Sequence, residues 1–210
     1  MTTFCYLHGW ASSPQSRKAQ FFKQCFEQRG LNLLTPDLNQ NDFFHLTLTR
    51  QIQQVQACLP ATPVTLLGSS FGGLTALWLA ERQPQVQRLV LLAPALGMLT
   101  HFIAAMGETK YAQWRNQGEF AFYHHRDQCE QLVSYAFIQD LQQYVDAHLQ
   151  RRVPTLILHG CNDEVVPVQN SRDFVATQPW IQFMELDSDH GLNDVQAQLW
   201  QATAAFCQLG

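Results

Sequence analysis

The sequence predicts an α/β fold, a mostly parallel sheet of about six strands with helices on both faces. Three observations carry this. Short apolar runs alternate with segments of helical periodicity along nearly the whole chain. The connections between those runs are too long for hairpins, which requires crossovers and a parallel sheet. Residues 64–79, VTLLGSSFGGLTALWL, read as a buried strand, a tight Gly-rich corner and a helix.

Taken in order, residues 4–7 form a first strand that ends in His8-Gly9-Trp10. Ala19, Phe21, Phe22, Cys25 and Phe26 fall on helical spacing over 14–29, a helix that Gly30 stops. Residues 31–35 are a second strand, cut by Pro36. Leu48, Ile52, Val55 and Leu59 repeat at amphipathic spacing, and Pro60 ends that helix. A strand over 64–67 leads into a helix over 71–83, broken by Pro84; 86–93 form the fourth strand. The fifth strand is 153–159, followed by a helix over 168–177, a sixth strand over 180–186 and a closing helix over 193–207.

Residues 94–152 break the rhythm. No strand pattern is read there, while Met98, Phe102, Ile103, Met106, Tyr111, Trp114, Phe120, Phe122 and Tyr123 accumulate. Helical spacing over 96–106 and 130–149 makes this an inserted helical cap, at about 97–150, over the carboxyl edge of the sheet. With 210 residues the chain is expected to be one domain, 1–210, carrying that insertion.

Composition narrows the function. Apolar residues make up 46% and charged residues 14%, the balance of a well-buried globule. A net charge of −4 without any Lys/Arg-rich run gives no electrostatic reason to bind nucleic acid or an anionic membrane. The N-terminus has neither the basic nor the apolar region of a signal peptide, and no apolar run approaches a membrane span. Cys5, Cys25, Cys58, Cys129, Cys161 and Cys207 are scattered, so they read as buried filler or free thiols, Cys161 as core filler. A cytoplasmic address is expected. The oligomeric state is not legible.

The chemistry lies at strand ends, where open parallel sheets bind ligands. Gly68-Ser69-Ser70-Phe71-Gly72 matches G-x-S-x-G in the strand–corner–helix setting that gives the motif meaning. Small residues on either side allow Ser70 a strained corner with its Oγ exposed, and put the Phe71 amide at a helix N-terminus, free for an oxyanion. No Lys follows the glycines, against a P-loop, and the spacing is not the dinucleotide fingerprint. The fifth strand leads into His159-Gly160-Cys161-Asn162-Asp163-Glu164, the sixth into Asp187-Ser188-Asp189-His190-Gly191. Ser70, Asp163 and His190 thus share one rim, in the chain order of a hydrolytic triad. Ser69 lies one position early and should point away. Asp187, Asp189 and Glu164 compete for the acid; Asp163 is preferred because its loop is one crossover from His190. His8 shapes a turn. Ser12, Ser13, Ser16, Arg17 and Lys18 either cap the first helix or touch a polar part of a substrate. His124, His125, Asp127, Cys129 and Glu130 match no metal-binding spacing and read as a partly exposed cap segment.

The set HGW, GSSFGG, HGCNDEVVP and SDHG resembles the α/β-hydrolase superfamily, and the opening LHGWASSPQSRKAQFF is similar to the small bacterial YqiA-type esterases. The resemblance implies the α/β-hydrolase fold, with Ser70 as nucleophile, His190 as base, Asp163 as acid and the backbone amides of Trp10 and Phe71 as the oxyanion hole. It implies a cofactor- and metal-independent serine hydrolase acting on a small carboxylic ester through an acyl-enzyme. The chain lacks the two antiparallel strands that larger members place before HGW. A thioesterase, or a ligand-binding or signalling protein that keeps the triad, are the alternatives.

Overall fold

The computed structural model describes residues 2–209. The first half runs β1 (Thr3–Leu7), α1 (Arg17–Glu27), β2 (Leu33–Leu34), α2 (Leu48–Cys58), β3 (Val64–Ser69), α3 (Phe71–Arg82) and β4 (Val86–Leu92). Next come α4 (Met98–Met106), α5 (Glu108–Gln117), β5 (Glu119–His124), β6 (Cys129–Ser134), α6 (Ala136–Leu141) and a 3-10 turn (Asp146–His148). Then β7 (Thr155–Gly160), α7 (Val168–Ala176), β8 (Ile181–Leu186) and α8 (Gln196–Cys207) follow.

Six strands form one sheet in the order β2-β1-β3-β4-β7-β8, and every pairing in it is parallel. From β1 the chain steps outward to β2. It then returns to β3 on the other side and proceeds to β8. The order therefore reverses between β1 and β3, the place where doubly wound sheets open a crevice at their carboxyl ends. His8 and Ser70 stand at the ends of those two strands.

Side chains alternate across the sheet with a period of two. Cys5, Leu7, Leu66, Leu89, Leu91 and Ile157 join α2 and α3 in one core. Phe4, Tyr6, Leu67, Val90, Leu92 and Leu158 join α1 and α8 in the other. β3 and β7 are buried along their full length, as strands covered on both faces must be. A fully buried Phe such as Phe22 or Phe26 contributes roughly 1.5–3 kcal/mol. β2 is shorter than the apolar run suggests. Gly30, at φ 68°, turns the chain so that the Leu31 amide bonds back to Phe26 O and closes α1.

The excursion between β4 and β7 corrects one expectation. It is not purely helical: β5 and β6 form an antiparallel hairpin, with Phe120 opposite Val133 and Phe122 opposite Gln131. A helix over 130–149 does not exist; β6, α6 and the 3-10 turn divide that span. Aromatic residues at alternate positions favour a strand, and the turn between the strands is made by Gln128 at φ 53° without any glycine. Arg126 at that turn bridges Asp127 and Asp37 of the core at 2.8 Å each. No helix among the described residues is long and apolar enough to cross a membrane.

Candidate active site

β3 ends in a backbone corner at Ser70, with φ 53° and ψ −118°. A non-glycine residue there carries strain of about 1–3 kcal/mol, which the surroundings must hold. They do so through hydrogen bonds: Ser70 N donates to Leu92 O at 2.9 Å, and Ser70 O accepts from Gly73, Leu74 and Ala95. A Cβ on Gly72 would overlap the Leu7 and His8 carbonyls, so only glycine lets α3 start this close to β1. Ser69 is buried, and among the described residues the hydrogen bond to the histidine comes from Ser70 and not from Ser69.

The turn after β1 lies against this corner. A Cβ on Gly9 would sit 3.3 Å from Ser70 Cβ. His8 is buried and structural: Nδ1–H donates to Gly9 O and Nε2 accepts from Leu38 N, both at 2.9 Å. The amides of Trp10 and Phe71 donate no hydrogen bond among the described residues. The Trp10 indole is wedged among Phe43, Phe71, Phe102, Phe122 and Phe137, at centroid distances of 4.6 to 6.0 Å.

His190 stands in the loop after β8. Ser188 Oγ bonds to Asp194, Asp189 Oδ1 accepts the Gly191 and Leu192 amides, and Leu192 is fully buried in the second core. These bonds hold the imidazole so that Nε2 lies 3.0 Å from Ser70 Oγ and Nδ1 lies 2.7 Å from Asp163 Oδ2. The Asp163 side chain is fully buried, while that of His190 keeps 24% exposure. Burial raises the Asp163 carboxyl, but hydrogen bonds from His159, His190 and the Val166 amide outweigh it and hold the group below the usual carboxylate range. Lys18 on α1 faces Asp163 and Asp189; burial lowers its ammonium to about 8 against their opposing pull.

The loops after β7 and β8 cross at Gly160. A Cβ there would overlap Ser188 O and lie 2.5 Å from Asp189 O. Gly160→Ala must push the His190 loop off β7. The expected result is a Tm lower by about 5–10 °C, read by thermal unfolding, from the 2–3 kcal/mol that such overpacking costs.

The three rim residues predicted from sequence thus meet, and the competing carboxylates are occupied elsewhere. Asp187 accepts from Asn162 Nδ2 at 2.9 Å, Asp189 caps its own turn, and Glu164 is exposed. Ser16 precedes α1 without a side-chain cap. Cys161 is exposed and not core filler, because it follows the Gly160 crossing and points outward, 4.0 Å from Asp187. His124 is fully buried against Phe43, its Nδ1 2.8 Å from Asp127. His159 is the residue the sequence reading missed. It donates to Asp163 from inside β7, and its only signal was the i, i+4 spacing to that aspartate.

Beside Ser70 lies a cavity of about 110 Å³, walled mainly by Trp10, Phe71, Leu96, Met98, Phe102 and Val166, with His101 at its edge. His101 Nε2–H donates to Asn170 Oδ1 at 3.1 Å, and Asn170 Nδ2 donates to Leu96 O at 2.7 Å. Leu96 and Asn170 also border a larger groove of about 690 Å³. The His101–Asn170 pair therefore stands at the boundary between the two spaces.

The model of an uncharacterised protein family, UPF0227, matches residues 3–207. The chain belongs to UPF0227. None of the curated proteins compared with this UPF0227 chain matches it. Among solved structures, a protein from Agrobacterium vitis S4 described provisionally as a hydrolase is 22% identical, with a TM-score of 0.85 over 98% of this chain and 87% of the other. Alpha/beta hydrolase domain-containing protein 10 from mouse is 21% identical, with a TM-score of 0.77 over 99% and 90%. Est1E from Butyrivibrio proteoclasticus, bound to ferulic acid, is 17% identical, with a TM-score of 0.80 over 99% and 88%. The UPF0227 chain has the α/β-hydrolase fold.

Proposed function

We propose that this protein is a serine hydrolase that cleaves a small carboxylic ester through an acyl-enzyme. The observation that carries the reading is the single imidazole, His190, within hydrogen-bond reach of both the Ser70 hydroxyl and the Asp163 carboxylate. A serine hydroxyl is a weak nucleophile at neutral pH and needs a base at this distance. Ser70 Oγ attacks the ester carbonyl while its proton passes to His190 Nε2. The tetrahedral oxyanion falls to the amides of Phe71 and Trp10, each worth about 3–4 kcal/mol of transition-state stabilisation. The C–O bond to the alcohol then breaks, and His190 returns the proton to the departing oxygen. Water repeats the sequence on the acyl-enzyme, releasing the acid and restoring the Ser70 hydroxyl. Asp163 holds the proton on Nδ1 and stabilises the imidazolium.

The size of the cavity supports a small acyl group. At about 110 Å³ it is far smaller than the roughly 300–1,000 Å³ of pockets that take drug-sized ligands. The test is labelling by a fluorophosphonate probe together with turnover of p-nitrophenyl acetate and butyrate, with the matching acyl-CoA thioesters run alongside. Absence of both labelling and turnover overturns the reading; turnover of thioesters alone moves it to a thioesterase. His101→Ala is expected to open the cavity toward the larger groove and raise kcat/KM for the octanoate relative to the butyrate ester about tenfold, the scale of a few buried methylenes.

A further inference from the structure

His159 is the fifth residue of β7 and is fully buried. Its Nε2 lies 2.9 Å from Val166 O and 3.1 Å from Asp163 Oδ2. Both are acceptors, so Nε2 carries the proton and donates to them. Nδ1 lies 2.8 Å from the hydroxyl of Ser171 on α7, also fully buried, and accepts its proton. Asp163 is thereby the centre of a mirrored chain, Ser171–His159–Asp163–His190–Ser70. One arm reaches the cavity. The other is sealed.

We propose that the sealed arm, Ser171 and His159, is a positioning relay that fixes the orientation of Asp163 and tempers the basicity of His190. It rests on the hydrolase reading above. A carboxylate offers about four lone-pair sites, and here each meets a donor: Val165 N and Val166 N on Oδ1, His190 and His159 on Oδ2. Removing the His159 donor has two effects. The carboxylate is freer to rotate, so His190 is held less well. Its negative charge is also less shared, so the His190 cation is more stabilised and the ring titrates at higher pH. Loss of packing alone lowers stability but does not move that titration upward. The other charged groups facing the site are Lys18 on α1, Asp189 on the His190 loop, and Glu185 on β8, which pairs with His159 in register and is tied to Arg172 of α7. All of them stay unchanged in the variants below, so the comparison isolates His159.

The experiment compares wild type with His159→Leu, which lacks a donor, and His159→Gln, whose amide can still donate to Asp163. The His190 ring is titrated by NMR, its signal assigned by its loss in His190→Gln, and kcat/KM for p-nitrophenyl acetate is followed against pH. His159→Leu is expected to raise the His190 midpoint and the acid limb of kcat/KM together by roughly half a unit, and to lower kcat/KM about ten- to a hundredfold, the range for a lost outer partner. His159→Gln is expected to recover most of both. A folded His159→Leu whose titration and pH profile superimpose on wild type overturns the relay. If His159→Leu does not fold, Ser171→Ala takes its place, with a smaller upward shift expected and an unchanged midpoint counting against the proposal. The NMR midpoint decides the relay even if wild type hydrolyses no ester, so its failure and that of the hydrolase reading are separable.

Discussion

Ser70→Ala is expected to lower kcat for p-nitrophenyl butyrate by about 10⁵-fold or more and to abolish fluorophosphonate labelling, since loss of a triad nucleophile elsewhere has an effect on that scale. The fold should hardly notice. Alanine keeps the Cβ that makes φ 53° and ψ −118° costly, so the strain at the corner is retained and stability should stay within about 0.5 kcal/mol of wild type. Ser70→Gly separates the two roles. It removes the same hydroxyl but relaxes the corner, where strain of about 1–3 kcal/mol exceeds the extra backbone entropy of glycine. Ser70→Gly should therefore unfold about 2–4 °C higher than Ser70→Ala by calorimetry. Equal Tm values would mean that the corner is not strained, and retained turnover in Ser70→Ala would remove Ser70 from the chemistry.

How far the sequence exposed this site follows from where each piece of information resides. Parallel strands buried on both faces are written as short apolar runs, so β1, β3, β4, β7 and β8 stand out, and each chemical residue sits just past such a run. The reversal between β1 and β3 then brings Trp10 and Ser70 to one crevice, while β7 and β8 deliver Asp163 and His190. Local rules suffice for that much. The hairpin of β5 and β6 was hidden because its turn relies on Gln128 in the left-handed region and carries no Asn-Gly or Asp-Gly signal. Interactions decided by tertiary placement were hidden as well. His159 looks like one more buried strand residue until Asp163 folds back over it. His101 meets Asn170 across a separation of 69 positions, which no window along the chain spans. Cys161 misleads because a small apolar-type residue after a buried strand reads as core, whereas this one lies past the last paired residue of β7, exposed beside Asp187.

Asp163→Asn is the second large effect and tests the same site by a different route. In the wild type Oδ1 accepts two amides, from Val165 and Val166, so the loop itself dictates which end of an asparagine amide can be the oxygen. With the oxygen held there, the Nδ2 group must face His190 and His159. An amide nitrogen can only donate, so His190 is driven to the tautomer with the proton on Nε2 and can no longer take one from Ser70. The expected loss in kcat is about 10⁴-fold, as for the wrong tautomer in other triads. His159 would at the same time face a donor with its own Nε2–H, so the substitution should also destabilise the loop. The pH dependence of that cost has a definite sign. Because the folded carboxyl lies below its unfolded value of about 4, the charged Asp163 contributes stability above that value and loses it as pH falls toward the folded one. The stability gap between wild type and Asp163→Asn, measured by urea unfolding, should accordingly narrow as pH falls below about 4. A gap that widens below about pH 4 would mean that Asp163 enters the folded state protonated, and a protonated Asp163 could not stabilise the His190 cation.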